Sequence, residues 1–114
     1  MDSDTAVAAL AALGHGLRLD IWRMLEPLGS TGLPAGTISA RLGVVPSSLS
    51  FHLHQMIEGR ILVQRRSSRQ IIYAVNSGII ESLRIFLENA GHELNGPAPN
   101  GLLARQTGDV FDQR

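Results

Sequence analysis

One stretch, Val45 to Met56, organises the rest of this 114-residue chain: V-P-S-S-L-S-F-H-L-H-Q-M. On a helix, Leu49, Leu53 and Met56 fall at i, i+4 and i+7 and form a narrow apolar stripe. The opposite side carries Ser47, Ser48, Phe51, His54 and Gln55, with Ser50 and His52 on the flanks. A surface helix commonly fills its outer face with Glu and Lys, whereas this one offers hydroxyls, imidazoles and an amide. Such groups hydrogen-bond to base edges and phosphates. A polar, solvated helix that merely lacks charge is the competing reading of the stretch taken alone.

Outward from it, the chain supplies a context. Before it, Pro34 is placed to open a short helix, Pro34 to Leu42, with Ile38 and Leu42 inward and Gly43 ending it. Two short helices joined by the Val44-Val45 turn, the second with a polar outer face, make a helix-turn-helix arrangement. After it, I-L-V-Q-R-R-S-S-R-Q-I-I-Y-A-V reads as a hairpin from about Ile61 to Val75. Arg65, Arg66 and Arg69 crowd its tip, either as solubilising charge or as a cationic finger beside the helix.

Charge is distributed to match. The whole chain is formally neutral, but residues 41–75 hold Arg41, Arg60, Arg65, Arg66 and Arg69 against Glu58 alone. That is a local basic footprint of the kind a phosphate-binding face needs. All ten basic residues are Arg. Cysteine is absent, which removes disulfides, thiolate catalysis and Cys-ligated metal together. No apolar run approaches the roughly 18 residues of a membrane span, and the N-terminus lacks a signal-peptide pattern, so a cytoplasmic protein with no membrane partner is expected.

At the start, Asp4 is expected to cap a helix beginning at Thr5 and ending at Gly14. Its A-V-A-A-L-A-A-L is apolar all round, so it needs cover on two sides, from its own domain and from a dimer partner, unless the helix is wholly buried. A second helix, roughly Gly16 to Glu26, repeats Leu17, Ile21, Met24 and Leu25 at core spacing, with Arg18, Asp20 and Arg23 on its other faces. Leu28 to Leu33 reads as a loop. A last helix after Asn76 reaches about Glu93 with Ile79, Ile80, Leu83, Phe86 and Leu87 on one broad face. From Asn95 the composition turns to Gly, Pro and Asn, which predicts a flexible tail over 95–114, with Leu102 and Leu103 touching down at most. The expected domain is 4–94.

Four stretches together resemble the ArsR/SmtB winged-helix repressors: A-L-G-H-G-L-R-L-D-I-W-R-M-L, L-P-A-G-T-I-S-A-R-L-G-V, S-S-L-S-F-H-L-H-Q-M and R-R-S-S-R-Q-I-I-Y. The match runs from about Ala6 to Leu87. The resemblance implies a mainly α winged helix-turn-helix, about five helices plus a two-stranded wing. It further implies a homodimeric regulator, a repressor, on an inverted repeat of double-stranded DNA, released by an inducer. Its DNA contacts would fall on Ser47, Ser48, Ser50, Phe51 and His52 with the wing at Arg65, Arg66 and Arg69, and His54 and Gln55 join them from the helix face. Its dimer interface would fall on the first and last helices, here Val7, Leu10, Ile79, Leu83, Phe86 and Leu87.

The departures from the family are chemical. Thiolate sensors carry cysteines where this chain has Pro34-Ala35-Gly36-Thr37, and an arsenic-binding branch carries them where it has Glu88 to His92. Without a thiol there is no strong As(III) ligand, because the soft metalloid selects sulfur. Glu88 and His92, at i and i+4 with Glu93 adjacent, are weak metal candidates, and the Asp-x-His that would complete the family's site is replaced by Asn76-Ser77-Gly78. The expectation is therefore no metal, no cofactor and an unidentified inducer. His15 reads as a packing or capping residue, and no Ser, His and Asp set suggests an enzyme. Arg60 stands where relatives have a glycine, with Gly59 one place earlier, and Ser67-Ser68 replaces the usual wing-turn glycine.

Overall fold

The computed structural model describes residues 1–95, and side chains as far as Gly91. The element order is α1 (Ser3–Leu13), α2 (Gly16–Leu25), a 3-10 segment (Glu26–Thr31), β1 (Leu33–Pro34), α3 (Ala35–Leu42), α4 (Pro46–Glu58), β2 (Leu62–Ser67), β3 (Gln70–Val75) and α5 (Ser77–Asn95). The expected tail from residue 96, with Leu102 and Leu103, lies outside the described residues, as do the side chains of His92 and Glu93.

Helix α1 begins two residues before the expected Thr5. Asp2, rather than Asp4, is the cap: its carboxylate accepts the Thr5 N–H at 2.8 Å. Hydrogen bonding from the Thr5 side chain, and next from its N–H, holds the Asp2 carboxyl below the usual carboxylate range. Ala6, Ala9 and Ala12 face the core, while Val7 and Leu10 remain exposed on the other side. Small side chains on the inner face let α4 approach closely. A Cβ on Gly59, just past α4, would stand 2.4 Å from the Ala12 Cβ and 2.8 Å from the Ala8 carbonyl oxygen. The next residue, Arg60, is left to take the left-handed turn, at φ 64°. The chain thus separates two demands, close approach at 59 and positive φ at 60, and meets only the first with glycine.

The connection after α2 is tighter than a loop. Leu33-Pro34 is an extended pair on the outer edge of β3, with Leu33 opposite Tyr73 and Pro34 opposite Ile72. The sheet therefore has three antiparallel strands in the order β1-β3-β2, not two. Pro34 belongs to β1 and caps α3 with extended backbone instead of serving as its first helical residue. Leu33 and Ala35 both pack on the core, so the chain stays extended until the helix can start. Gly32 is required by contact, since a Cβ there would lie 2.2 Å from the Tyr73 carbonyl oxygen.

One core joins these pieces. Ile21 and Leu25 of α2, Ile38 of α3, Leu49, Leu53 and Met56 of α4, and Ile61 and Leu62 entering the sheet are its fully buried large side chains. Leu83 of α5 joins them at 6% exposure. It was expected in a dimer interface, and its side chain is instead spent inside its own chain.

Candidate nucleic-acid interface

Helix α4 starts at Pro46 with Val45 as its cap residue and no side-chain cap on its first turn. The early backbone N–H groups, which a helix cannot satisfy internally, stand beside the exposed Ser47 and Ser48. Its start is fixed from the preceding helix, where Gly43 closes α3 in the left-handed conformation and the Ser39 hydroxyl donates to the Val44 carbonyl. Ser50, Phe51 and His54 are exposed as well, and Gln55 is half-buried. Phe51 is 57% exposed, a large apolar ring set among hydroxyls and imidazoles. The His54 Nε2 lies 4.0 Å from the Glu58 carboxylate one turn on.

His52 does not belong with them. It is only 8% exposed and faces inward with Leu49, Leu53 and Met56. Its Nδ1 accepts a hydrogen bond from the Arg18 Nε at 3.0 Å, and its ring sits 4.5 Å from that of His15. Burial, then the facing His15 and Arg18, push the His52 imidazole below the usual histidine range. The expectation that His52 reads DNA is therefore overturned by packing. Arg18 is the residue that sequence reasoning missed: it bonds His52, donates to the Ala11 carbonyl at 3.2 Å and places its guanidinium 6.0 Å from the Phe51 ring. His15 caps α2 by accepting the Leu17 N–H, in line with the capping role expected of it. Val45 is also exposed beside the start of α4.

The wing pairs β2 with β3 from Leu62–Val75 to Ser67–Gln70, leaving Ser68-Arg69 as a two-residue turn. Ser68 takes φ 59°, the conformation for which a hairpin usually employs glycine. Arg65, Arg66 and Arg69 are all exposed. Arg65 is already engaged, its Nη2 donating to the carbonyls of Ser30 at 3.3 Å and Thr31 at 3.1 Å. It ties the wing to the 3-10 segment, which leaves Arg66 and Arg69 as the wing cations without such a tie among the described residues.

On α1 and α5, Val7, Leu10, Ile85 and Leu87 are exposed, while Ile79 and Phe86 are half-buried. Glu88 bonds Arg84 at 2.9 Å, which also pairs with Glu81. Among the described residues no group of three or more His, Cys, Asp or Glu is placed to hold a metal, and no helix is long and apolar enough to cross a membrane.

Neither a protein-family model nor a curated protein matches the sequence. Solved structures do. An ArsR-like transcriptional regulator from Rhodococcus sp. RHA1 superposes with a TM-score of 0.68 over 95% of both chains at 20% identity. The chain has the winged helix-turn-helix fold of the ArsR-family regulators. That winged-helix fold also relates it to the homodimeric DNA-binding domain of Mb0332 from Mycobacterium bovis, with a TM-score of 0.61 and 19% identity over 85% of this chain and 88% of that one. A predicted DNA-binding transcriptional regulator from E. coli reaches 28% identity, with a TM-score of 0.57 over 77% and 90%. Within the winged helix, α3 and α4 are the helix-turn-helix and β2–β3 is the wing.

Proposed function

We propose that this chain is a homodimeric, sequence-specific DNA-binding transcriptional regulator of the ArsR/SmtB family, acting as a repressor on an inverted-repeat operator. One observation carries the reading: α4 presents Ser47, Ser48, Ser50, Phe51 and His54 outward with no acidic residue before Glu58, and the following hairpin carries Arg66 and Arg69. In the bound state the two α4 helices of a dimer lie in successive major grooves, roughly 34 Å apart. The uncapped N–H groups at Ser47 and Ser48 meet a phosphate, aided by the helix dipole. Ser50, His54 and Gln55 reach base edges or sugar, and Phe51 meets a thymine methyl. Arg66 and Arg69 neutralise flanking phosphates, with Arg65 holding the wing in place. The neighbours of this fold are regulators rather than enzymes, and no catalytic role is assigned to any residue.

The apolar surplus of α1 and α5 supports the dimer. Leu87 is 47% and Val7 62% exposed in the single chain, so charge there costs the protomer little while breaking an apolar interface. Leu87→Glu is expected to yield a folded monomer by sedimentation, with weakened DNA binding; an unchanged dimer would refute this interface. The DNA reading itself is tested by selection from a random duplex library. Enrichment of an inverted repeat is expected, and failure to enrich any sequence would reduce the protein to an interaction module with a borrowed fold.

A further inference from the structure

The contact between Arg18 and His52 joins α2 to the inner face of the recognition helix, and its chemistry depends on a single proton. The acceptor role of Nδ1 leaves the ring proton on Nε2. A second proton has one place to go, the Nδ1 atom that receives the Arg18 Nε–H. Protonation would turn acceptor into donor, set it against another donor, and place an imidazolium beside a guanidinium.

Resting on the DNA-binding reading above, we propose that Arg18–His52 is a proton-operated latch. With His52 neutral it holds α4 and Phe51 in the DNA-reading position, and protonation of His52 releases them, so that acidification weakens operator binding. Arg18 is the positioning residue, since it reaches the helix through His52, the α1 end through the Ala11 carbonyl, and lies near the Phe51 ring.

The surroundings offer a second cation little relief. His15 faces the ring at 4.5 Å ahead of α2, and Phe51 lies edge-on at 5.3 Å. The only acidic side chain of α1, Asp4, stands by Gly59 and Arg60, and Arg41, the only ionisable side chain of α3, is exposed. Glu58 of α4 borders the groove shared by Arg18, Gln55 and the alanines of α1, with its carboxylate toward His54. No carboxylate among the described residues is hydrogen-bonded to either member of the latch. Burial, His15 and Arg18 all lower His52 from its ordinary value of 6.5. The unfolded chain therefore takes up the proton first as pH falls. Stability attached to this group is complete above the ordinary value and declines as pH drops from it toward the lowered one.

The test compares wild type with His52→Asn, whose amide oxygen can replace Nδ1 as acceptor and does not titrate. The probe is the duplex enriched by the wild-type protein at about pH 7.5. As pH falls from about 7.5, wild-type affinity relative to the variant is expected to drop once His52 takes up its proton, reaching about tenfold, the scale of one lost charge-assisted hydrogen bond, only below the lowered His52 range. Every other side chain is common to both proteins, so its contribution cancels from the ratio. His15→Asn, which keeps an oxygen to cap α2, is expected to retain the wild-type response. Parallel pH profiles of wild type and His52→Asn would overturn the latch. One measurement stands apart from DNA and from the variant's folding. The Arg18 Nε–H resonance of the wild-type protein should lose its bonded shift as the His52 ring titrates, and its persistence through that titration would also overturn the proposal. If no duplex is enriched, the DNA reading fails and with it the operator effect, while this resonance still decides whether the contact itself is proton-operated.

Discussion

Helix α4 and the β2–β3 wing are neighbours in the chain and opposites in construction. The helix contains no Lys or Arg, and it buries Leu49, His52, Leu53 and Met56 along one side. Strand β2 buries only Leu62 at its base and is exposed from Val63 to the turn, with Arg65, Arg66 and Arg69 at the far end. One element is held by the core and offers neutral, directional groups; the other is held by strand pairing and the Arg65 bonds and offers charge. Directional hydrogen bonds discriminate between bases only if their scaffold is rigid, whereas a phosphate contact tolerates imprecision because it reads no sequence. The difference in anchoring thus matches the difference between the tasks proposed for them.

The sharpest break of this comparison comes from the buried side. Leu53→Ala should cost about 2–5 kcal/mol of stability, measured by denaturant unfolding, because it opens a cavity where α4 meets the core. Phe51→Ala should leave stability within about 0.5 kcal/mol, yet cost roughly 1–3 kcal/mol of discrimination between the selected duplex and one substituted at the contacted thymine. Equal losses on both duplexes would mean that the ring reads no base. Arg66→Ala and Arg69→Ala should each lower the slope of log affinity against log salt by about one and weaken all duplexes alike. Unchanged slopes would remove the wing from the interface. The smallest effect is expected at the hinge between helix and wing, where Arg60→Gly relieves a left-handed φ and should stabilise the protein by about 0.5–1 kcal/mol in thermal unfolding.

Much of this construction was legible in the residues, and the failures are instructive. Leu49, Leu53 and Met56 are buried as their spacing predicts. Residue 52 completes the same i, i+3, i+4, i+7 stripe, yet a histidine there was read by its chemistry, as a DNA ligand, rather than by its position. Arg18 was misplaced in the same way: it stands three before Ile21 and seven before Leu25, on the inner face of α2. Two polar residues on two buried faces satisfy each other, which neither stripe announces alone. Leu83 was assigned to a partner although its own chain had room for it, because a broad apolar face does not say which part is covered internally. Strand β1 was missed since two residues carry no periodicity, and its pairing with β3 is a long-range fact. The uneven glycine pattern at 59 and 60 was visible as a departure, but its cause, the approach of α1, needed the fold.

Under the proposed function, α4 reads sequence in the major groove while the wing supplies charge. Fluorescence anisotropy of the wild-type protein on the selected inverted repeat, and on the same repeat with its half-sites moved half a helical turn apart, measured across a salt series, tests both halves at once. The account predicts much tighter binding to the intact spacing, with steep salt dependence on both duplexes. Equal affinity for the two spacings, or binding indifferent to salt, would contradict it.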